Sequence, residues 1–222
     1  MSLLRLDRVS RTYDMGHVQV QALRSVSMAV EAGEFVAILG PSGSGKSTMM
    51  SILGCLDRPS SGSYQLAGND VGALTDDALA RVRSRTIGFV FQSYNLLPST
   101  TALDNVAAPL LYQGASRRER YGRAQAALER LGLGDRLGHE PTELSGGEQQ
   151  RVAIARAIVT DPAVLLADEP TGNLAVHQGL EVLELFHELH ASGRTIVLIT
   201  HNPDVGAVAG RQIHLLDGRV AA

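Results

Sequence analysis

The sequence predicts an α/β protein with a mixed, mostly parallel sheet at its core, and three observations carry that expectation. Short apolar runs rich in Val, Ile and Leu at 35–39, 87–91, 164–167 and 195–200 alternate with longer stretches of helical periodicity. The N-terminal piece differs, because LLRLDRVSRTY and VSMAVEAG alternate in polarity as half-exposed antiparallel strands do. A Gly-rich stretch, GPSGSGKST at 40–48, joins the first apolar run to a helical pattern.

Helices are expected at 46–55, 76–85, 104–112, 117–131, 147–160 and 178–191. In the last, Val182, Phe186 and Leu189 fall on one face. RQIHLLDGRV reads as a hairpin around Asp217-Gly218. The chain reads as one domain over 1–222, with a core from 1–85 and 162–222 and a mainly helical lobe inserted at about 86–161. Arg117, Arg118, Arg120 and Arg123 share one helix with Glu119 and Glu129, which reads as a solvated face.

The 222 residues suffice for a sizeable core, and an apolar share of 44% is that of a globular chain. Aromatics at 4%, no Trp and a net charge of −3 argue against a nucleic-acid partner. The single cysteine, Cys55, excludes an internal disulfide and fits a reducing compartment. The opening MSLLRLDRVS lacks the apolar core of a signal peptide, and no apolar run approaches the roughly 20 residues that span a bilayer.

Gly40, Pro41, Ser42, Gly43, Ser44, Gly45, Lys46, Ser47 and Thr48 satisfy the phosphate-loop pattern, with a strand before and a helix after. Such a loop turns backbone N–H groups and a helix N-terminus toward phosphate oxygens. Lys46 would reach the β- and γ-phosphates and Ser47 would ligate magnesium. The run VLLADE ends in two adjacent acids. Asp168 suits the magnesium and Glu169 suits a base that polarises the attacking water. In LSGGEQQRVAIARA, Ser145, Gly146 and Gly147 precede a second helix. That is either a capped turn or a second anion-binding start, which two chains arranged head to tail could bring to one phosphate.

On GPSGSGKST, VLLADE and LSGGEQQ the chain resembles the nucleotide-binding subunit of ABC transporters, along essentially its whole length. The resemblance implies an ABC-type phosphate-loop NTPase fold and an ATPase using ATP and magnesium. Gln92 in FVFQSYNLLP would be the Q-loop glutamine, sensing magnesium and the attacking water. His201 in LITHN would be the switch histidine on the γ-phosphate, and Tyr13 the aromatic stacked on adenine. Ser145, Gly146, Gly147 and Glu148 would act on ATP bound to a second copy. YDMGHVQVQALRSVSM, SILGCLDRPSSG and LADEPTGNL resemble the MacB/LolD/FtsE branch, which serves macrolide or peptide exporters, lipoprotein release and a cell-division complex.

Partners implied are a second copy, membrane permease subunits and a periplasmic adaptor, at the cytoplasmic face of the cell membrane. With no regulatory tail or fused membrane segment, the chain resembles a free-standing subunit. A regulatory ATPase signalling through an FtsX-like partner without transport is the alternative. Tyr94, Leu96 and Leu97, apolar for a loop, suggest the coupling surface. In the family the interface loop usually ends in aspartate, whereas here it runs Asn173, Leu174, Ala175. That departure puts communication between paired sites in doubt. His187 and His190 read as exposed polar positions, with no metal expected beyond the nucleotide's magnesium.

Overall fold

The structure, a computed structural model, describes residues 2–221 except 15 and 17. Two sheets share the chain. The first joins β1 (Ser2–Asp14), β2 (Gln19–Glu31), β4 (Ser61–Leu66) and β5 (Asn69–Asp70) in the order β2-β1-β4-β5. Its pairings are antiparallel, as the alternating N-terminal pattern requires. The second joins β3 (Phe35–Leu39), β6 (Ile87–Phe91), β7 (Val164–Asp168), β8 (Thr195–Thr200), β9 (Arg211–Leu216) and β10 (Arg219–Val220) in the order β10-β9-β3-β8-β7-β6. Five of these strands run parallel, and β10 folds back on β9 through Asp217-Gly218.

Burial on both faces explains the unbroken apolar runs of β3, β7 and β8. Successive residues of β3 point to opposite sides. Phe35, Ala37 and Leu39 enter a core with Val106, Leu128, Ile154 and Phe186, while Val36 and Ile38 enter another with Leu6, Met49, Ile52 and Tyr64. The two cores are covered by α1 (Lys46–Leu53), α2 (Asp76–Thr86), α3 (Ala102–Ala107), α4 (Arg117–Arg130), α5 (Gly146–Ile158) and α6 (Val176–Ala191). The short α7 (Pro203–Gly206) is capped by the Asn202 side chain.

The structure moves several expected boundaries. Ile87–Phe91 lies inside the parallel sheet, so the helical part begins beyond Phe91 and not at residue 86. The helix expected at 104–112 starts earlier, because the Thr101 hydroxyl caps the Asp104 amide, and it tightens into a 3-10 turn where Pro109 lacks an N–H. The first helix ends at Leu53, with Gly54 as its cap, and not at residue 55. The pair β4 and β5 was not expected; β4 is anchored by the buried Tyr64, whose hydroxyl donates to the Leu53 carbonyl at 2.7 Å. His187 and His190 both meet the edge of Phe35. No helix among the described residues is long and apolar enough to cross a membrane.

Ala175 occupies the N-cap of α6, with φ −62° and ψ 151° and no side-chain acceptor, and the first turn holds no acid. A carboxylate there would accept an orphan amide of that turn and favour the helix dipole. Ala175→Asp should therefore stabilise the isolated chain by about 1 kcal/mol. The melting temperature should rise by roughly 2–4 °C. An unchanged melting curve would show that the α6 start is already satisfied.

Candidate nucleotide-binding site

The loop after β3 is shaped by contacts that only glycine permits at two positions. A Cβ on Gly40 would stand 2.3 Å from the Leu215 carbonyl oxygen. Gly45 is left-handed at φ 102°, and a Cβ there would meet the Ala22 carbonyl oxygen at 2.5 Å. The β9–β10 hairpin braces the loop, with the Gly218 amide donating to the Ser44 carbonyl at 3.0 Å. Lys46 Nζ donates to the carbonyls of Gly40 at 2.7 Å and Pro41 at 2.8 Å, which holds the ammonium over the loop.

Beside this loop opens a cleft of about 750 Å³, a size suited to a small ligand. Ser42, Gly43, Gly45, Lys46, Ser47, Thr48, Gln92, Asp168, Glu169 and His201 line it together, so most of the site residues expected from the sequence converge. Val20, Ala22, Arg24 and Asp217 line it as well; the sequence marks the first three only as part of a stretch resembling the branch and the last only as a turn.

Asp168 ends β7. Burial raises its pKa first, the neighbouring Glu169 charge raises it further, and the Lys46 ammonium opposes both. A desolvated carboxylate beside the Ser47 hydroxyl and the Gln92 amide is an oxygen-rich donor set that fits magnesium. Those three residues would hold the ion, which would neutralise phosphate charge.

Glu169 is held differently. Its backbone is left-handed at φ 44°, and its amide donates to the Ile199 carbonyl at 2.8 Å. One carboxylate oxygen accepts from the His201 amide at 2.8 Å and lies 2.5 Å from His201 Nδ1. The other accepts from the Thr200 hydroxyl at 2.8 Å. Thr200, which the sequence reading had only as a strand residue, thus fixes the orientation of the acid.

Gln92 is bound to Asn173. Its Nε2 donates to Asn173 Oδ1 at 3.3 Å, and Asn173 Nδ2 donates back to the Gln92 carbonyl at 3.1 Å. Gly172 leaves room for this, since a Cβ there would meet Gln92 Nε2 at 2.6 Å.

Ser145, Gly146, Gly147 and Glu148 do not line the cleft of their own chain. Ser145 caps α5, and Glu148 reaches back to the Ser145 amide at 2.8 Å. The start of α5 stands instead beside Tyr94, Leu174 and Gln178. Tyr13 does not line the cleft either. Its hydroxyl donates to Asp57 at 2.8 Å and the Arg11 guanidinium lies 4.5 Å from its ring centre, although its strand partner Val20 is in the cleft wall.

A second cavity, of about 690 Å³, is lined by Phe89, Phe91, Leu97, Pro109, Tyr112 and Arg156 among others. Of the three loop residues expected at a coupling surface, only Leu97 belongs to it. Leu96 packs on the core and Tyr94 turns toward Asn173.

A glycine-rich loop between a parallel strand and a helix, with an acid pair at the end of the next strand but one in the sheet, is the pattern of a phosphate-loop nucleoside triphosphatase. The sequence model of the ABC transporter family matches residues 23–172, so the chain belongs to that family, as an ATP-binding cassette ATPase domain. It is 54% identical over 218 residues to an uncharacterized ABC transporter ATP-binding protein of Thermotoga maritima, covering 98% of this chain and 93% of that protein. It is 56% identical over 218 residues to the macrolide export ATP-binding/permease protein MacB of Rhodospirillum rubrum, but spans only 34% of that protein's length. Among solved structures it is similar to the ATP-binding cassette MJ0796, a dimer in a post-hydrolysis state bound to ADP and Pi. The TM-score is 0.91 at 43% identity, covering 99% of this chain and 97% of that one.

The start of α5 yields a pH prediction. The Glu148 pKa is lowered from 4.5 to about 2, first by the Ser145 amide, then by the Ser145 hydroxyl, then by Arg136. A depressed carboxylate stabilises fully above its unfolded pKa and loses that contribution as pH falls through the folded value. Relative to Glu148→Gln, the native chain should be more stable by about 1 kcal/mol above pH 5. The gap should close between pH 4.5 and 2 in urea titrations. A gap independent of pH would mean that the carboxylate charge plays no part.

Proposed function

We propose that the chain binds and hydrolyses ATP as a head-to-tail dimer and drives a membrane permease of the exporter or release type. It would sit peripherally at the cytoplasmic face of the membrane. The observation that carries this reading is the convergence of Lys46, Ser47, Gln92, Asp168, Glu169 and His201 on one cleft, while Ser145–Gly147 lie outside it. The dimeric cassette at TM-score 0.91 and the permease-fused relatives named for macrolide export support the dimer and the membrane partner. The permease would dock in the 690 Å³ cavity, whose aromatic and aliphatic lining suits a short amphipathic helix.

In this reading Lys46 holds the β- and γ-phosphates, and a magnesium ion held by Ser47, Gln92 and Asp168 would supply charge neutralisation. Glu169 takes a proton from water as the water oxygen bonds to the γ-phosphorus. The bond from that phosphorus to the bridging oxygen breaks, and ADP leaves with the electron pair. His201 steadies both Glu169 and the γ-phosphate. Ala175 removes no group from this chemistry; its missing carboxylate weakens communication between the two sites.

Purified chain should form dimers on ATP and release phosphate. In Glu169→Gln the dimers should persist while turnover falls on the order of 10²–10⁴-fold, the usual contribution of a general base. Turnover without any dimer would overturn the role given to Ser145–Gly147. Turnover unaffected by Glu169→Gln would overturn its assignment as the base.

A further inference from the structure

We propose that Arg156 is a positioning residue for hydrolysis: its guanidinium clips two left-handed residues beyond Gln92 and so fastens that loop to the helix opening at Ser145. The inference rests on the ATPase reading above, in which Gln92 faces the water and the metal.

Tyr94 and Asn95 are consecutive non-glycine residues at φ 58° and 50°. A Cβ penalises each of them, and such backbone persists only where its surroundings over-determine it. The Tyr94 amide donates to the Phe91 carbonyl at 3.2 Å, and one side chain takes the carbonyls of the pair. Arg156 Nη2 donates to the Tyr94 carbonyl at 2.7 Å and Nη1 donates to the Asn95 carbonyl at 2.5 Å. The left-handed pair turns both carbonyls to one side, where the rigid guanidinium fork takes both. Arg156 is half-buried on α5, and desolvation pulls its pKa down, so these bonds are what makes its charge tolerable there.

The same loop lies beside the start of α5. The Tyr94 hydroxyl lies 3.0 Å from where a Gly146 Cβ would stand, and 3.5 Å from the Asn173 carbonyl oxygen that it also contacts. Gln92, two residues back, holds Asn173 from the other side. The loop is therefore bonded to α5 at Arg156 and lies beside the helix start ten residues earlier. Arg156, Asn95 and Leu97 also line the 690 Å³ cavity. Whatever seats in that cavity presses on the clip, and the clip moves Gln92 and the Ser145–Gly147 start as one piece.

Arg156→Met removes both donors while keeping most of the side-chain volume. ATP turnover should fall on the order of tenfold to a hundredfold, the scale of an ångström misplacement, with ATP affinity essentially kept. Amides of residues 93–97 should exchange about tenfold faster. Adding Asn95→Gly, which makes the left-handed backbone free of penalty, should recover turnover and protection by about three- to tenfold. Arg156→Lys, which keeps the charge and loses the fork, should fall between, and it replaces Arg156→Met with the same readouts if that chain does not fold.

A loss of turnover that Asn95→Gly leaves unrelieved, or exchange unchanged across 93–97, would overturn the clip. If the unmodified chain releases no phosphate, the ATPase reading fails instead, and the exchange comparison alone decides the clip.

Discussion

Four parallel strands reach their carboxyl ends in one register, and the cleft follows from that register. Leu39 stands opposite Thr200, Ile199 opposite Asp168, and Asp168 opposite Phe91. The next residues along each strand are Gly40, His201, Glu169 and Gln92. They leave the sheet along one edge at strand spacings of about 4.8 Å. Ligands of open α/β sheets gather at that edge, because there the chain exits into loops and helices whose amides remain free. Strands that are apolar on both faces do not fix their register by alternation. The close approach of Gly40 to the Leu215 carbonyl helps to do so, since one residue of slip would put the Leu39 side chain where no Cβ fits.

The two acids at this edge are adjacent in sequence and opposite in circumstance. Asp168 ends a buried strand and is desolvated, with Lys46 as the one nearby group favouring its charge. It is therefore a standing demand for a cation. The left-handed turn at Glu169 aims the second acid toward the end of β8, where the Thr200 hydroxyl and the His201 amide donate to it and His201 Nδ1 stands beside it. The left-handed backbone at Glu169 thus gives two consecutive acids different surroundings.

Much of this was legible in the sequence, because the features that build it are local. Uniform apolar runs announce buried parallel strands, and GPSGSGKST between a strand and a helix can hardly serve another purpose. What was not legible depends on partners far along the chain. Asn105 is fully buried and bonds Leu97, Thr100 and Thr101, yet nothing about an Asn within a helical pattern reveals that it shapes a loop. Arg156 looks like a solvated residue on an amphipathic helix, but it meets carbonyls 61 and 62 residues earlier. Tyr13 followed the family pattern, and its engagement with Arg11 and Asp57 could not be foreseen from strand periodicity. The shifted start of α3 is the exception, since Thr101 and Asp104 are a capping pair that the sequence displays.

Glu148 poses a last difficulty, since a carboxylate at the start of α5 ought to repel the phosphate that the proposed dimer brings there. The geometry removes the conflict. Its two oxygens are turned back, one onto the Ser145 amide and one onto Arg136 Nε at 3.0 Å. The charge is thereby spent inside its own chain, and it is held there firmly enough to depress its pKa to about 2. Ser145 Oγ meanwhile accepts from the Glu148 amide, at 3.3 Å. The amides of Gly146 and Gly147 belong to the helix's first turn, where no carbonyl of the helix can accept them. Because neither residue has a side chain, an anion can reach those amides closely. An acid in that turn thus stiffens the helix start without closing it, and Arg136, remote in any motif, is the residue that allows it.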